Sequence, residues 1–245
     1  MATPPALLFD LDGTLIDSVY QHVLAWQEAL TAFGVDLAVW KIHRRIGMSG
    51  GLFVNALGRE TGGALSPTQA RELGLAHAEA FGRRRDTVRP LPGAAELLAT
   101  LSAEGVPWAI ATSGMALSAR PALALLGLPE DTPLVTRDQV RHAKPDPDLF
   151  LAAADLIDVA IGRAVVVGDS IWDLLAARRA GALGVGLLWA ATGARSWSGR
   201  ARTACTPTRP SCSPTSTRSV CVVTSGKRSG ALRLYPDGKQ TVPLG

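Results

Sequence analysis

The chain alternates between two hydrophobic rhythms. Residues 6–9 form an apolar run that ends in Asp10-Leu11-Asp12-Gly13-Thr14, the pattern of a buried strand closing on a polar turn. From there to residue 88 the spacing is helical. Val23, Trp26, Ala29, Leu30 and Phe33 share one face of a helix that Asp17 or Ser18 caps and Gly34 ends, and amphipathic segments follow at 37–46, 51–59 and 67–85, the last capped by Ser66 with Pro67 in its first turn. No strand is expected in this block. After Arg89-Pro90-Leu91-Pro92-Gly93 the rhythm changes: helices at 94–102, 116–126, 148–157 and 171–180 alternate with short apolar runs at 108–111, 134–136, 164–167 and 183–188. Such alternation predicts an α/β fold, a Rossmann-like parallel sheet with helices on both faces, into which an all-helical cap is inserted after the first strand. The expected boundaries are 1–16 and 89–193 for the core, 17–88 for the cap and 194–245 for a separate tail.

Ligands of such sheets bind beyond the carboxyl ends of the strands, so the polar residues there carry the candidate chemistry. Asp10 and Asp12 stand at the end of an apolar run, where aspartate is poorly suited to a strand and costly to bury alone. A hard divalent cation is the natural compensator, since carboxylate and carbonyl oxygens suit Mg²⁺, which commonly keeps waters and phosphate oxygens as its other ligands. The later strand ends present Thr112, then Lys144 after a loop, then Asp169 and Asp173. Taken singly, each has a plainer reading: strand residue, solvated charge, helix cap or first-turn acid.

Composition and charge change this picture in one place. The 245 residues are 47% hydrophobic, enough for a packed interior, and no apolar stretch approaches the ~18 residues of a membrane span. The N-terminus has no basic region followed by a long apolar segment. A cytoplasmic protein, monomeric or homodimeric, without membrane attachment is expected. The net charge of +4 is unevenly spread: residues 194–245 hold nine Lys+Arg against one acid, Asp237, leaving −4 for residues 1–193. Basicity is thus a property of the tail, and no nucleic-acid partner is expected. Cys205, Cys212 and Cys221 all lie in the tail without metal-ligand spacing.

In order and context, FDLDGT, IATSG, HAKPDP and VVVGDSIWD resemble the four motifs of the haloacid dehalogenase-like hydrolases, in the branch with a helical cap after the first strand that includes phosphoglycolate phosphatases and β-phosphoglucomutases. The resemblance covers residues 6 to about 190. It implies a Mg²⁺-dependent phosphatase of small phosphorylated metabolites working through an aspartyl-phosphate. Asp10 would be the nucleophile and Asp12 the acid–base, with a pKa raised by its surroundings. The metal would be held by Asp10, the backbone carbonyl of Asp12, Asp169 and Asp173. Thr112, Ser113, Gly114 and Lys144 would meet the transferring phosphoryl group. Asp12 argues against dehalogenation, because a halide leaving group needs no proton. In the cap, His22 stands in a context (YQHVLAW) similar to that of β-phosphoglucomutases, and the loop carrying Arg45, Gly47 and Ser49 matches a substrate-specificity loop; Arg45 would meet a distal anionic group. The alternatives are a phosphomutase, and an inactive binding protein on the same fold.

The resemblance stops near residue 193. Residues 194–219 contain no Leu, Ile, Val, Phe, Asp or Glu and read as disordered, or as the product of a shifted reading frame, since GC-rich back-translation read one base earlier can give a helix, a strand and a capped helix there.

Overall fold

The computed structural model describes residues 5–60, 65–187 and 219–222. Its organising element is the parallel sheet. β1 (Ala6–Phe9) lies at the centre between β4 (Trp108–Ala111) and β6 (Ala164–Gly168), with β5 (Leu134–Val135) outside β4 and β7 (Leu183–Leu187) outside β6. Alternate residues of β1 feed two cores, as the period of a strand requires. Phe9 joins Ile110, Val167 and Leu98 on one face, and Ala6 and Leu8 join Ala109, Val166 and Phe150 on the other. Burial on both faces explains why these strands are nearly unbroken apolar runs. Helices α5 (Ala94–Ala103), α6 (Ala116–Leu125), α7 (Asp148–Leu156) and α8 (Ile171–Ala180) complete the layers at positions close to those expected.

The inserted cap is all-helical: α1 (Val19–Ala32), α2 (Val39–His43), α3 (Gly50–Glu60) and α4 (Pro67–Gly82), around a separate apolar cluster of Val23, Trp26, Leu30, Ile42, Phe53 and Leu73. Ser66 caps α4 as expected, in a reciprocal box with Gln69. Helix α2 is shorter than its amphipathic pattern, and α4 gives way at Arg85–Thr87 to a 3₁₀ turn.

Two departures from expectation matter. First, the chain leaves and re-enters the core through a two-stranded antiparallel clasp, β2 (Ile16–Asp17) with β3 (Arg89–Pro90), reinforced by the bond from Leu91 N–H to the Leu15 carbonyl at 2.9 Å. Two-residue strands are too short for alternation to announce them. Secondly, part of the tail joins the sheet: β8 (Ser219–Val222) runs parallel to β7 in the register Gly184 to Ser219 through Leu187 to Val222. The edge of β7 is therefore paired over these four residues, where a backbone row would otherwise invite another chain. The rest of the segment expected to be disordered or frame-shifted lies outside the described residues. Among the described residues no helix is long and apolar enough to cross a membrane.

Candidate active site

The site begins where β1 stops. The Asp10 N–H extends the ladder to the Val167 carbonyl at 2.9 Å, and the chain then turns through Gly13. That turn needs glycine twice over: its φ is +83°, and a Cβ there would lie 2.2 Å from Asp169 Oδ2. Gly168, at the end of β6, makes room in the same way, since its Cβ would fall 2.4 Å from the Asp173 side chain. The two glycines let the acids of β1 and β6 approach one another.

Asp10, Lys144 and Asp173 form a dehydrated ionic knot. All three are buried, Lys144 and Asp173 completely. The Lys144 ammonium pairs with Asp10 Oδ1 and stands 2.9 Å from Asp173 Oδ1. Ser170 caps α8 and in turn binds Asp173, whose Oδ2 accepts from the Ser170 hydroxyl at 2.5 Å and from its N–H at 3.0 Å. Asp173 is thus the return half of a capping box as well as a member of the cluster. Burial pushes the Asp10 carboxyl up to about 7 against the pull of Lys144, with the charges of Asp173 and Asp12 adding to the rise. Burial, then Asp173 and Asp10, likewise raise Asp169 well above the usual carboxylate range, and Lys144 is held firmly charged, its two carboxylate partners outweighing the cost of burial.

One ammonium does not balance three crowded carboxyls. Oxygens of Asp10, Asp169 and Asp173 all lie within 4.8 Å of one another, an all-oxygen donor set of the kind that fits a hard divalent cation. The side chain of Asp12 is not in that set; its backbone carbonyl is the atom expected to contribute.

Asp12 faces the cap instead. Its Oδ1 accepts the Ser18 hydroxyl at 2.6 Å and lies 3.3 Å from His22 Nε2, while Thr112 Oγ1 donates to its Oδ2 at 3.4 Å. Burial would raise its pKa, but the charge and hydrogen bond of His22, with Ser18 and Lys144, hold it at about 2. This corrects the expectation of a raised value: the contacts with His22 and Ser18 outweigh burial. It also corrects the first helix cap, because Ser18 occupies the cap position of α1 but makes no side-chain capping bond and gives its hydroxyl to Asp12.

Behind His22 stands a residue the sequence reading passed over. His77, on α4, places Nε2 3.2 Å from His22 Nδ1. His22 stacks on Phe81 at 3.9 Å between ring centroids, and His77 on Trp26 at 4.0 Å. A signal was available: His22 and Trp26 in HVLAW, and His77 and Phe81 in HAEAF, repeat a histidine and an aromatic residue one helical turn apart.

The remaining cap and phosphoryl-loop residues close the other side. The Ser113 hydroxyl donates to the Gly47 carbonyl at 3.0 Å, the Ser49 N–H to the Lys144 carbonyl at 3.3 Å, and the Gly114 N–H to Thr112 Oγ1 at 2.9 Å. Arg45 directs one N–H to the Lys41 carbonyl at 2.7 Å, which fixes its side chain within the cap. Beside Asp12 opens a cavity of about 290 Å³, lined by His22, Ser18, Phe81, Arg85, Gly114 and Ser118 among others.

The order of these residues on the strands is matched by a family model for the haloacid dehalogenase-like hydrolases over residues 4–181. The chain belongs to this family. Within it, the chain is 35% identical over 177 residues to hexitol phosphatase A of Escherichia coli (strain K12), covering 71% of this chain and 78% of that one. It is 31% identical over 196 residues to the phosphoglycolate phosphatase of Agrobacterium fabrum, covering 77% and 82% respectively. A solved hydrolase from Pseudomonas syringae shares 54% identity at a TM-score of 0.74, over 75% of this chain and 84% of that one. As a haloacid dehalogenase-like hydrolase with phosphatases among its relatives, the protein is a phosphoric monoester hydrolase.

Proposed function

We propose that the protein is a Mg²⁺-dependent phosphatase of small phosphorylated metabolites, of the sugar-phosphate or phosphoglycolate type, acting through an aspartyl-phosphate on Asp10. The observation that carries this reading is the division of labour between two aspartates two residues apart. Asp10 sits in the acidic cluster with Lys144, and Asp12 turns away to Ser18, His22 and Thr112. The relatives named hexitol phosphatase and phosphoglycolate phosphatase support the substrate class, and a cavity of about 290 Å³ beside Asp12 has room for the organic part of such an ester.

A carboxylate oxygen of Asp10 attacks phosphorus and the bond to the ester oxygen breaks, while Asp12 hands that oxygen the proton it shares with His22. In the second step Asp12 takes a proton from water, the water oxygen attacks phosphorus, and the bond to Asp10 breaks. An alcohol and inorganic phosphate leave, and both aspartates return to their starting forms. In this reading Lys144 supplies a positive charge and the Thr112 hydroxyl, in the same loop as Ser113 and Gly114, a donor to the transferring oxygens, where electrostatic stabilisation dominates phosphoryl transfer. Held by Asp10, Asp169, Asp173 and the Asp12 carbonyl, Mg²⁺ would supply the positive charge that lets an anionic ester approach an acidic site. The Gly47 loop, joined to Ser113, keeps bulk water from the reacting side.

The test is phosphate release from a panel of sugar, polyol and two-carbon acid phosphates, with Mg²⁺ and with chelator, by the wild type and Asp10→Asn. Release that needs Mg²⁺ and falls by at least about 10³-fold in the variant is expected; equal, metal-independent rates in both proteins would dismiss the reading. The contact of His22 with Asp12 gives a phosphomutase its one specific support, and interconversion of glucose phosphates without net phosphate release would favour that alternative.

A further inference from the structure

We propose that His77 is a positioning residue for the acid–base: it accepts the Nδ1 proton of His22 and thereby keeps His22 Nε2 turned towards Asp12. The proposal rests on the phosphatase reading and adds to it a residue with no contact to the reacting atoms.

The geometry is a ladder of two interlocked pairs. α1 carries His22 and Trp26 four residues apart, α4 carries His77 and Phe81 at the same spacing, and the pairs interdigitate so that each histidine stacks on the other helix's aromatic ring. The His22 and Phe81 planes differ by 2° and those of His77 and Trp26 by 15°, while Trp26 is backed by Phe53 at 4.3 Å. Rings held face to face in this way resist rotation, and their nitrogens can bond only in the plane left open. In that plane Asp12 Oδ1, His22 Nε2, His22 Nδ1 and His77 Nε2 follow one another with separations of 3.3 Å and 3.2 Å across the two gaps.

The direction of the bonds follows from the inventory of protons. Asp12 Oδ1 already accepts from Ser18, so as a carboxylate it can only accept again, and His22 Nε2 must be the donor. A histidine that donates from Nε2 and is bonded again through Nδ1 needs an acceptor there if it is to carry its second proton. Burial, together with the charge of His22, holds His77 well below its usual pKa, which keeps it neutral with one bare nitrogen. With His77 Nε2 as that acceptor, the His22 ring is held with its Nε2–H directed at Asp12. Without it, His22 loses the partner that fixes its ring orientation, and the Asp12 carboxyl is less well aimed at the ester oxygen.

A histidine that merely filled the cap core would be replaceable by any residue of similar bulk. His77→Leu keeps the volume and removes the acceptor; His77→Gln places an amide oxygen near the position of Nε2. On the best substrate of the panel, His77→Leu is expected to lower kcat about tenfold with KM within about twofold, a fraction of the usual worth of an acid–base group, and His77→Gln to recover kcat to within about threefold of wild type. An unchanged kcat in His77→Leu would overturn the proposal, as would a loss carried wholly by KM, which marks a substrate contact, or a His77→Gln variant no better than Leu. Long-range ¹H–¹⁵N correlation on the wild type provides a readout independent of turnover and of variant folding: a protonated His22 Nδ1 and a bare His77 Nε2 are expected, and the reverse assignment would overturn the proposal. A wild type that hydrolyses no phosphate ester would dismiss the phosphatase reading and the positioning role with it; an active wild type matched by His77→Leu would dismiss the role of His77 alone.

Discussion

Asp10 and Asp12 are separated by one leucine and live in opposite electrostatic worlds. On the sheet side, Asp10 is packed with Asp169 and Asp173 around a single ammonium and is pushed up to about 7. On the cap side, Asp12 is met by a histidine and a hydroxyl and is held at about 2. The first region is short of positive charge and the second is not. Strand pleat and turn therefore do more than present two carboxylates: they hand one to an all-oxygen cluster of the kind that suits a cation and the other to a cluster that the cap completes.

The sharpest way to break the sheet side is to remove its one built-in cation. Lys144→Met leaves three crowded carboxyls, those of Asp10 and Asp173 buried and that of Asp169 half-buried, without a positive partner, and deleting one member of a buried ionic group costs about 3–5 kcal/mol. Denaturant unfolding in chelator should show a loss of that size, with phosphate release falling by roughly 10³-fold. Added Mg²⁺ should restore much of the stability and little of the activity, because the metal can replace the charge of Lys144 in the acidic cluster but not at the phosphoryl oxygens. Equal recovery of both would mean that Lys144 acts only as a counter-ion.

The contrast also predicts pH slopes of opposite sign. For Asp10 the folded pKa lies above the unfolded one, so the folded form binds the proton more tightly: in metal-free protein, stability is greatest below about pH 4 and is lost as the pH rises to about 7, by about 4 kcal/mol in total. For Asp12 the folded pKa is depressed, so its contribution of about 2 kcal/mol is present above about pH 4 and is lost as the pH falls to about 2. Asp10→Asn should abolish the first slope and be more stable than wild type at pH 7 in chelator; Asp12→Asn should abolish the second. Saturating Mg²⁺ should flatten the Asp10 slope and leave the Asp12 slope in place. A wild type whose stability rises between pH 4 and 7 without metal would contradict the charge imbalance assigned to the sheet side.

The same division explains what the sequence disclosed. The sheet side was legible because it is built from consecutive pattern: apolar runs mark strands, Asp10, Asp12, Thr112 and Asp169 stand just beyond their ends, and Lys144 and Asp173 lie in the loop and helix that follow. The cap side depends on contacts between helices far apart in the chain. His77 lies 55 residues from His22, and the histidine–aromatic spacing repeated on the two helices does not say that they meet. The lowered pKa of Asp12 depends on His22 approaching across the cap boundary, which residue order does not specify, and Ser18 looked like a helix cap because its use by Asp12 is visible only in space. The clasp of β2 and β3 escaped for another reason: its two-residue strands are set by tertiary pairing rather than by their own periodicity.

The smallest expected effect tests how the two regions meet. Gly47 lies in the cap loop with φ +93°, its carbonyl accepts the Ser113 hydroxyl at 3.0 Å, and a Cβ on it would stand 2.7 Å from Ser170 Oγ. Ser170 cannot readily give way, because its hydroxyl is committed to Asp173 in the capping box of α8. Gly47→Ala thus sets a left-handed backbone position and a steric clash against one loop contact, a conflict of about 1–3 kcal/mol that an open cap relieves at no cost to either core. The melting temperature should barely move, since the cap cluster and the sheet are untouched, while kcat/KM should fall about five- to tenfold through a less populated closed form. The loss should shrink when Ser170→Ala is added, because the shorter side chain removes the nearest clash while leaving the strained φ. A double variant no better than Gly47→Ala alone would place the whole penalty in the backbone, and an unchanged kcat/KM in the single variant would mean that the contact of Gly47 with Ser113 is not needed in turnover.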